Sequence, residues 1–551
     1  MPRVPTTADV TNPHRKGYDF RLDNLLFRAA ISPDRQMVIR SAEFPAQQID
    51  LQQNPEDITT NIGQIFSRND FSGGQGLDYA HKRSQTEKDT TRFFDSKGVD
   101  VFHSDDETSY NLHLLYTTLD KNVKGSDTTF AGSNNYLAQT TNGDLYVTDQ
   151  AAIYKSTDNG ATWGAVTTGL TINNNFTGAA AVGDQVYFTT ATGTSAGELI
   201  LYNGTGWSEL SHDQTSNALT GVWFAKGQLF ISGDDGSVAY LWAVNPIGKN
   251  WTSSDLAEAD AIVTFEDSHT ISQVVDAGAV VLAASTSGDI FSVKDVSGTM
   301  TLFGQTNIPF EEVHSIAAAE GIVFFGTKDK SQAVGRFYRA DLVTADNLYV
   351  LANRQLVKEW VISGQDTTPK HMFVTRDSIY CGIKESGSES FLWRYYLPTA
   401  GFARDIKMGA SGFITGITQA NGKFLVVVAG ADVYLESSLY ESEGYIILPN
   451  VDFFTSEVKQ WVGTTVEHDE ITDSRRVQCF ISTREATIDN PSSSNWELTN
   501  DSTTGFGGTE FQINRNARYL NLKVVLSANE DFTATPIFRS VSARALPRPQ
   551  L

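Results

Sequence analysis

Gly143-Asp144-Leu145-Tyr146-Val147, with Ala152-Ile153-Tyr154 shortly after it, is the stretch on which the reading of this 551-residue chain turns. A small turn residue opens it, an apolar run follows, and a second short apolar run returns a few residues later. The opening recurs at Gly183-Asp184-Gln185-Val186-Tyr187-Phe188, Gly227-Gln228-Leu229-Phe230-Ile231 and Gly278-Ala279-Val280-Val281-Leu282. It recurs again at Gly321-Ile322-Val323-Phe324-Phe325, Asp377-Ser378-Ile379-Tyr380-Cys381 and Gly422-Lys423-Phe424-Leu425-Val426. From Leu145 through Tyr187, Leu229, Val281, Val323 and Ile379 to Leu425 the spacings are 42, 42, 52, 42, 56 and 46 residues. Each copy has its second half: Leu199 to Tyr202, Val238 to Trp242, Ile290 to Val293, Arg336 to Tyr338, Phe391 to Trp393 and Val433 to Leu435. Further apolar stretches precede the copies, such as Ile271 to Val275 and Ile414 to Thr418. Three to four short strands in roughly 40–50 residues, repeated, make the blade of a β-propeller. The first strand of a blade lines the central channel, where small and β-branched residues fit, and Ser315-Ile316-Ala317-Ala318-Ala319 has that character.

The first copy carries a sharper mark. Ser156-Thr157-Asp158-Asn159-Gly160-Ala161-Thr162-Trp163 follows the Asp-box pattern S-x-D-x-G-x-T-W. An aspartate can cap the amides of a tight hairpin, a glycine permits positive φ, and a tryptophan can pack beneath the turn. The segment resembles the Asp-box turns of sialidases and other propellers, in which it marks the fold and lies away from the channel. Degenerate relatives are expected at Asp234-Asp235-Gly236-Ser237 and Ser285-Thr286-Ser287-Gly288-Asp289, both without the trailing tryptophan.

Composition agrees with short strands and many turns. Hydrophobic residues make up 40% and charged residues 19%, with 44 glycines and 11% aromatics, and long runs of helical period are absent. The net charge is −23 and uneven: residues 1–126 hold −3, 127–450 hold −17 and 451–551 hold −3. That acidity argues against a nucleic-acid backbone as the main partner. Two cysteines, Cys381 and Cys479, exclude a disulfide scaffold and a multi-cysteine metal site; two free thiols are expected, with one bridge between them as the alternative. Met1 to Lys16 lacks the apolar core of a signal peptide, and no run of about eighteen apolar residues occurs, so membrane insertion is not expected.

Beyond Pro449 the pattern changes to longer alternating strands: Val458 to Val466, Arg476 to Ser482, Glu510 to Ile513, Tyr519 to Leu526 and Ile537 to Arg544. These suit a two-sheet sandwich with Ser/Asn-rich loops, notably Asp489 to Asn500. In the N-terminal region Phe44 to Leu51 and Val99 to His103 read as strands. Asn61 to Phe71 reads as a connector, and Ser104-Asp105-Asp106-Glu107 as a solvated acidic loop. Gly73-Gly74-x-Gly76 lacks the strand–helix setting and the lysine of a phosphate loop. The expected fold is therefore all-β: a roughly seven-bladed propeller over 127–449, an N-terminal mixed or all-β assembly region over 1–126, and a C-terminal β-sandwich over 450–551.

The layout resembles bacteriophage minor tail and tail-tip proteins. Asn54-Pro55-Glu56-Asp57-Ile58 and Gln64 to Gly74 precede the propeller, and Arg518-Tyr519-Leu520-x-Leu522-x-Val524 and Thr535 to Val541 follow it. The likeness implies a structural virion protein of the tail, assembled in the host cytoplasm. Its implied partners are other tail proteins, copies of itself in a homo-oligomer, and a host-surface glycan or protein as attachment target. On this reading Asn24 to Phe27 and Leu112 to Tyr116 are apolar stretches that a neighbouring virion protein covers. The alternative is a glycan-binding or sialidase-like glycoside hydrolase. A sialidase needs converging arginines on the substrate carboxylate, a tyrosine nucleophile with a glutamate, and an aspartate acid/base. The F-R-I-P signature is missing, Phe27-Arg28-Ala29-Ala30 being no substitute. The propeller arginines are Arg336, Arg339, Arg354, Arg376, Arg394 and Arg404, all in later copies. The histidines, His14, His81, His103, His113, His212, His269, His314, His371 and His468, have no metal-ligand spacing, and no G-x-S-x-G elbow occurs. Asp234-Asp235 could hold a structural Ca²⁺, though a turn bonded to its own backbone explains it more simply. Trp461 and Trp496 are candidate sugar-stacking residues, with burial in the sandwich core as the plainer reading. No catalytic, cofactor-binding or metal-binding residue is assigned, no cofactor is expected, and the chain is not expected to be an enzyme.

Overall fold

In a computed structural model of the chain, every copy of the repeat supplies the second and third strands of a four-stranded antiparallel sheet. The structure describes residues 64–75, 91–106, 109–120, 130 and 135–547, less 151, 167, 171, 173–174, 192–196, 212–217, 236, 267–268, 363, 388 and 452–457. Between 20 and 40 it describes the backbone of three short paired strands, Phe20–Leu22, Leu25–Ile31 and Met37–Arg40. The expected strand at Phe44 to Leu51, the segment Asn54 to Ile58, and His14, His81 and His212 lie outside the described residues.

Seven such sheets follow one another. Blade 1 opens with Leu137–Gln139, blade 2 with Phe176–Val182, blade 3 with Ala218–Ala225 and blade 4 with Ile271–Asp276. Blades 5, 6 and 7 open with Glu311–Ala319, Met372–Val374 and Ile414–Ala420. These first strands touch their successors round the ring, from blade 7 back to blade 1. Their approach is close enough to require glycine: a Cβ on Gly178 would lie 2.6 Å from the Val222 nitrogen, and one on Gly416 2.8 Å from the Leu137 Cβ. The second strands, such as Leu145–Asp149 and Val281–Ser285, are buried at every position. A strand covered on both faces has no wet side, which is why the repeat reads as a continuous apolar run rather than an alternating one.

What covers those faces is the next blade. A hydrophobic cluster occupies each of the seven boundaries between neighbouring sheets. Blades 2 and 3 share Tyr187, Leu199, Leu229, Ile231 and Trp242, and blades 5 and 6 share Phe324, Phe337, Trp360, Trp393 and Phe402. The cluster between blades 7 and 1 joins Leu425, Val427 and Val433 to Phe130, Leu145, Val147 and Trp163. With about 1.5–3 kcal/mol gained per large apolar side chain fully buried, the ring is held by its inter-blade layers. The longer repeat spacings have local causes. Blade 3 carries an insertion before its fourth strand with two 3-10 turns, Ser253–Leu256 and Glu258–Asp260; blade 5 has long outer strands, Gly335–Ala345 and Leu348–Trp360.

The ring is closed from upstream. Blades 1 to 6 take their fourth strand from downstream sequence, but the outer strand of blade 7 is Tyr116–Asp120, paired antiparallel with Val433–Tyr440. The Tyr116 and Tyr440 rings stack at 4.6 Å, Thr117 Oγ1 lies 2.8 Å from Ser437 Oγ, and Thr118 Oγ1 donates to the Lys407 carbonyl of blade 6. The compact unit that contains the ring spans Leu115–Tyr440, not 127–449 as expected.

Residues Met1–Leu114 and Glu441–Leu551 form the other unit, so the N- and C-terminal regions read as separate from the sequence are one body. One sheet runs Gln64–Arg68, Phe538–Pro547, Lys459–His468, Glu510–Ala517; the other runs Glu497–Ser502, Arg476–Ser482, Asn521–Ser527, Glu443–Ile447, Asp95–Lys97. Each thus takes an edge strand from the N-terminal region. Val477, Cys479 and Ile481 lie opposite Leu526, Val524 and Leu522 as a buried face, and Thr464 Oγ1 meets Thr499 Oγ1 between the sheets at 3.3 Å. Three readings are corrected here. The stretch from Asn61 is not a connector, since Gln64–Arg68 pairs with Phe538–Pro547. Ser104–Asp106 is not a loop but a strand paired with Ser109–Tyr110. Leu112 and Leu114 are not left for a neighbour to cover: both side chains are buried, and their backbones are held by a bridge from Leu112 to Phe538 and a bond from the Leu114 amide to Thr535 Oγ1. The physical reason is shared. A short segment with too little apolar surface to fold alone becomes an edge strand when distant strands offer it a ladder.

Outer edges are interrupted. Asn353 in Leu348–Trp360 and Asn514 in Glu510–Ala517 adopt left-handed φ of 51° and 50° where the registers shift, which breaks up edges that would otherwise template pairing. Among the described residues no helix is long and apolar enough to cross a membrane.

Candidate functional site

The Asp-box forms the turn between the third and fourth strands of blade 1, Ala152–Ser156 and Gly164–Ala165. Asp158 Oδ1 accepts from the Ser156 hydroxyl (2.8 Å) and the Thr162 amide (2.9 Å), and its Oδ2 from the Thr162 hydroxyl (2.5 Å). Burial works against the Asp158 charge, but these bonds outweigh it and hold the carboxyl below its ordinary range. Ser156 Oγ in turn accepts the Gly160 amide at 2.9 Å, and Gly160 sits at φ 84°. Trp163 is buried in the closing cluster, edge-on to Phe130 at 6.0 Å. All three Asp158 acceptor bonds are internal to the turn, so the motif's chemistry is spent on structure. Its supposed relatives are different objects. Asp234-Asp235 and Ser285 to Asp289 lie between second and third strands, at the other end of their blades. Asp235 accepts the Ser237 and Val238 amides at 2.7 Å each and the Tyr240 hydroxyl at 2.7 Å, a turn bonded to its own backbone.

The arginines on which a sialidase reading depends do not come together. Arg336, in blade 5, is shared by Glu311, Asp329 (3.1 Å) and Glu359 (2.8 Å). Glu311, 5% exposed, also accepts from Thr327 Oγ1 (2.7 Å) and the Tyr338 hydroxyl (3.2 Å). Three carboxylates around one guanidinium leave an excess of negative charge, which repels a carboxylate substrate. Arg404 in blade 6 is bound by both oxygens of Glu385 at 2.9 Å, and Glu385 also accepts Trp393 Nε1 at 2.6 Å. Arg394 donates to Ser378 Oγ at 2.8 Å and lies 3.6 Å from Asp377. Arg339 donates to Tyr395 at 3.0 Å, Arg354 rests over the Tyr338 ring at 5.3 Å, and Arg376 is exposed.

The end of the ring where first strands begin and second strands end is polar. Gln273 of blade 4 donates to the Met372 carbonyl of blade 6 and accepts the Ile316 amide of blade 5, tying three first strands together. Beside this crossing, His314 meets Glu312 at 3.0 Å and Lys328 meets Asp366 at 3.2 Å. Burial lowers His371 to about 4. Lys370 and Lys384 both lie over the Phe413 ring, at 4.0 and 5.5 Å. Sequence reading missed this group because its members stand far apart in the chain; only the position of each at the start or end of a repeated strand could have brought them together.

In the other unit, Trp461 is fully buried with Nε1 donating to the Ala517 carbonyl, and Trp496 packs with Ile447 and Ile488 while its Nε1 donates to the Asn490 carbonyl. Neither indole is placed to stack on a sugar. Cys381 and Cys479 are buried free thiols; burial pushes Cys381 well above a thiol's usual range and Cys479 up to about 12. Among the described residues no group of three or more metal-ligating side chains occurs.

No protein-family model matches the chain, and no curated protein matches it. Solved structures do. The WD40 repeats of RRP9 align over 59% of this chain and 99% of theirs, at 11% identity and a TM-score of 0.40. YCF48 bound to D1 peptide aligns over 58% and 99%, at 11% identity and 0.39. A chain of the mitotic checkpoint complex aligns over 58% and 94%, at 10% identity and 0.38. The seven-bladed ring itself rests on sheet order and on the filled boundaries between sheets.

Proposed function

We propose that the chain is a structural virion protein of a bacteriophage, a tail or tail-tip component in which a rigid ring is carried by a separate attachment body. The observation that carries this reading is the interweaving of the termini: Gln64–Arg68 pairs with Phe538–Pro547, and Asp95–Lys97 with Glu443–Ile447. A body built this way joins the sequence before the ring and the sequence after it in one fold. Arg336, Arg394 and Arg404 are engaged by carboxylates of their own blades, which suits contact and support rather than turnover. Other tail proteins and further copies of the chain are the partners of the attachment body, and the loops of the ring are the surface offered to a host. The test is co-fractionation. Particles from the source culture are banded on a density gradient, and peptides of this chain are quantified by mass spectrometry against a major virion protein. A fixed ratio across the particle band supports the proposal; recovery of the chain only in particle-free fractions overturns it.

A further inference from the structure

The sandwich of the terminal body is open along one margin. Glu497–Ser502 ends one of its sheets and Glu510–Ala517 ends the other, each opposite in its sheet to the N-terminal edge strand, Asp95–Lys97 or Gln64–Arg68. These two strands and the loop that joins them line a groove of about 490 Å³, within the range of roughly 300–1,000 Å³ of small-molecule sites. The loop is pinned. Gly505 and Ile471 exchange amide bonds of 2.9 Å, and Gly508 donates to the Val466 carbonyl at 2.8 Å. A Cβ on Gly507 would lie 2.5 Å from the Val466 oxygen, so the backbone there rests directly on the neighbouring strand. Phe506, between these contacts, is nonetheless 72% exposed, and Phe511 and Leu498 in the same lining are 45% and 42% exposed. A pinned backbone presents the aromatic face with little freedom left to lose on contact. The charges of the lining are matched. Arg476 engages both oxygens of Asp501, and Arg544 both oxygens of Glu510. Arg515 and Glu497 join the two edge strands at 2.7 Å. By contrast, the hydroxyls of Thr503, Thr504 and Thr509 have no hydrogen-bond partner among the described residues. An ionic ligand finds no unmatched charge here, and a purely apolar one would cover hydroxyls without pairing them. A neutral polyhydroxylated ring satisfies both: its C–H faces rest on the phenyl rings, and its hydroxyls exchange hydrogen bonds with threonines, which donate and accept.

We propose that this groove binds neutral sugar units, those of an oligosaccharide without carboxylate or sulfate groups. The proposal stands whether or not the chain is a virion component, and a neighbouring protein seated at the opposite margin of the sandwich leaves the groove open. The test is an array of immobilised neutral and acidic glycans probed with the full-length chain, followed by calorimetric titration with the soluble form of the glycan best retained. Saturable binding of at least one neutral glycan is expected. Replacing Phe506 and Phe511 together by alanine weakens that binding by about tenfold or more, the scale of a lost aromatic contact. Phe506→Tyr retains it, and Phe310→Ala, at a phenylalanine of the ring that is 82% exposed, leaves it unchanged. Thermal melts accompany each variant; because Phe506 and Phe511 are exposed, the double variant should melt as the parent does, and if it does not, Phe506→Ala alone carries the same expectation. Retention of no glycan, retention of acidic glycans alone, or wild-type binding by the folded alanine variant overturns the site.

Discussion

Gly160→Ala probes the closure of the ring through one methyl group. Gly160 sits at φ 84°, and a Cβ there would lie 2.5 Å from Leu425 Cδ1 and 3.6 Å from Leu145 Cδ1. Leu145 belongs to blade 1 and Leu425 to blade 7, so the methyl group enters the seam where the last blade meets the first. Two costs add. A left-handed conformation costs an L-residue roughly 1–2 kcal/mol, and forcing a methyl group into a packed core costs about 1–3 kcal/mol. The single variant should lose about 2–5 kcal/mol. Leu425→Ala alone, at a fully buried position, should lose about 2–5 kcal/mol to the cavity it leaves. In the double variant the new methyl group occupies part of that cavity, so the clash disappears, and the cavity loss of Leu425→Ala and the backbone cost at position 160 remain. The double variant should therefore be more stable than the sum of the two losses implies, by about 1–3 kcal/mol. Urea unfolding followed by tryptophan fluorescence is the assay. Seven of the nine tryptophans, at 163, 207, 223, 242, 251, 360 and 393, fall within Leu115–Tyr440, so the signal reports chiefly on the ring. Losses that simply add would mean that the turn at Gly160 does not press on blade 7, and would refute the closure.

Removing residues 115–126 from an isolated ring should matter more than their number suggests. A chain of 115–440 should be monomeric and melt cooperatively, whereas 127–449, which lacks the outer strand Tyr116–Asp120, should melt lower and aggregate through the exposed edge of Val433–Tyr440; size-exclusion chromatography and calorimetry distinguish the two. Glu385→Ala leaves the Arg404 guanidinium and the Trp393 indole N–H without their shared acceptor and should cost about 3–5 kcal/mol, read as a lowered urea midpoint. His371 is held near 4 in the folded chain against 6.5 in the unfolded one. The unfolded chain therefore binds the proton first, and stability should fall as pH drops from about 6.5 to about 4. His371→Gln should flatten that part of the melting-temperature profile, and an unchanged slope would exclude His371 as its source.

The ring was legible because a strand buried on both faces writes a continuous apolar run. The seven openings, from Leu145 to Leu425, each fall on the second strand of a sheet. The Asp-box was legible as a turn, though not as part of the ring's closing seam. The closing strand left a weaker sign. Val433-Tyr434-Leu435 is followed by Glu443–Ile447, which pairs into the sandwich, so the last blade lacked a downstream fourth strand. Short edge strands such as Gln64–Arg68 and Asp95–Lys97 carry too few residues for a period to show. They are extended because of partners hundreds of residues away, which local pattern does not encode. The lysines at Phe413 were hidden for the same reason: their proximity is a product of ring geometry.

A cryo-EM map of the source particle tests the central claim most directly. The account predicts tail density for a ring of seven four-stranded sheets, its seventh completed by Tyr116–Asp120. The body formed by residues 64–114 and 441–547 should contact neighbouring virion proteins, with the ring's loops facing outward. A map in which this chain is absent from the tail, or in which the ring makes the assembly contacts and the terminal body faces solvent, would contradict it.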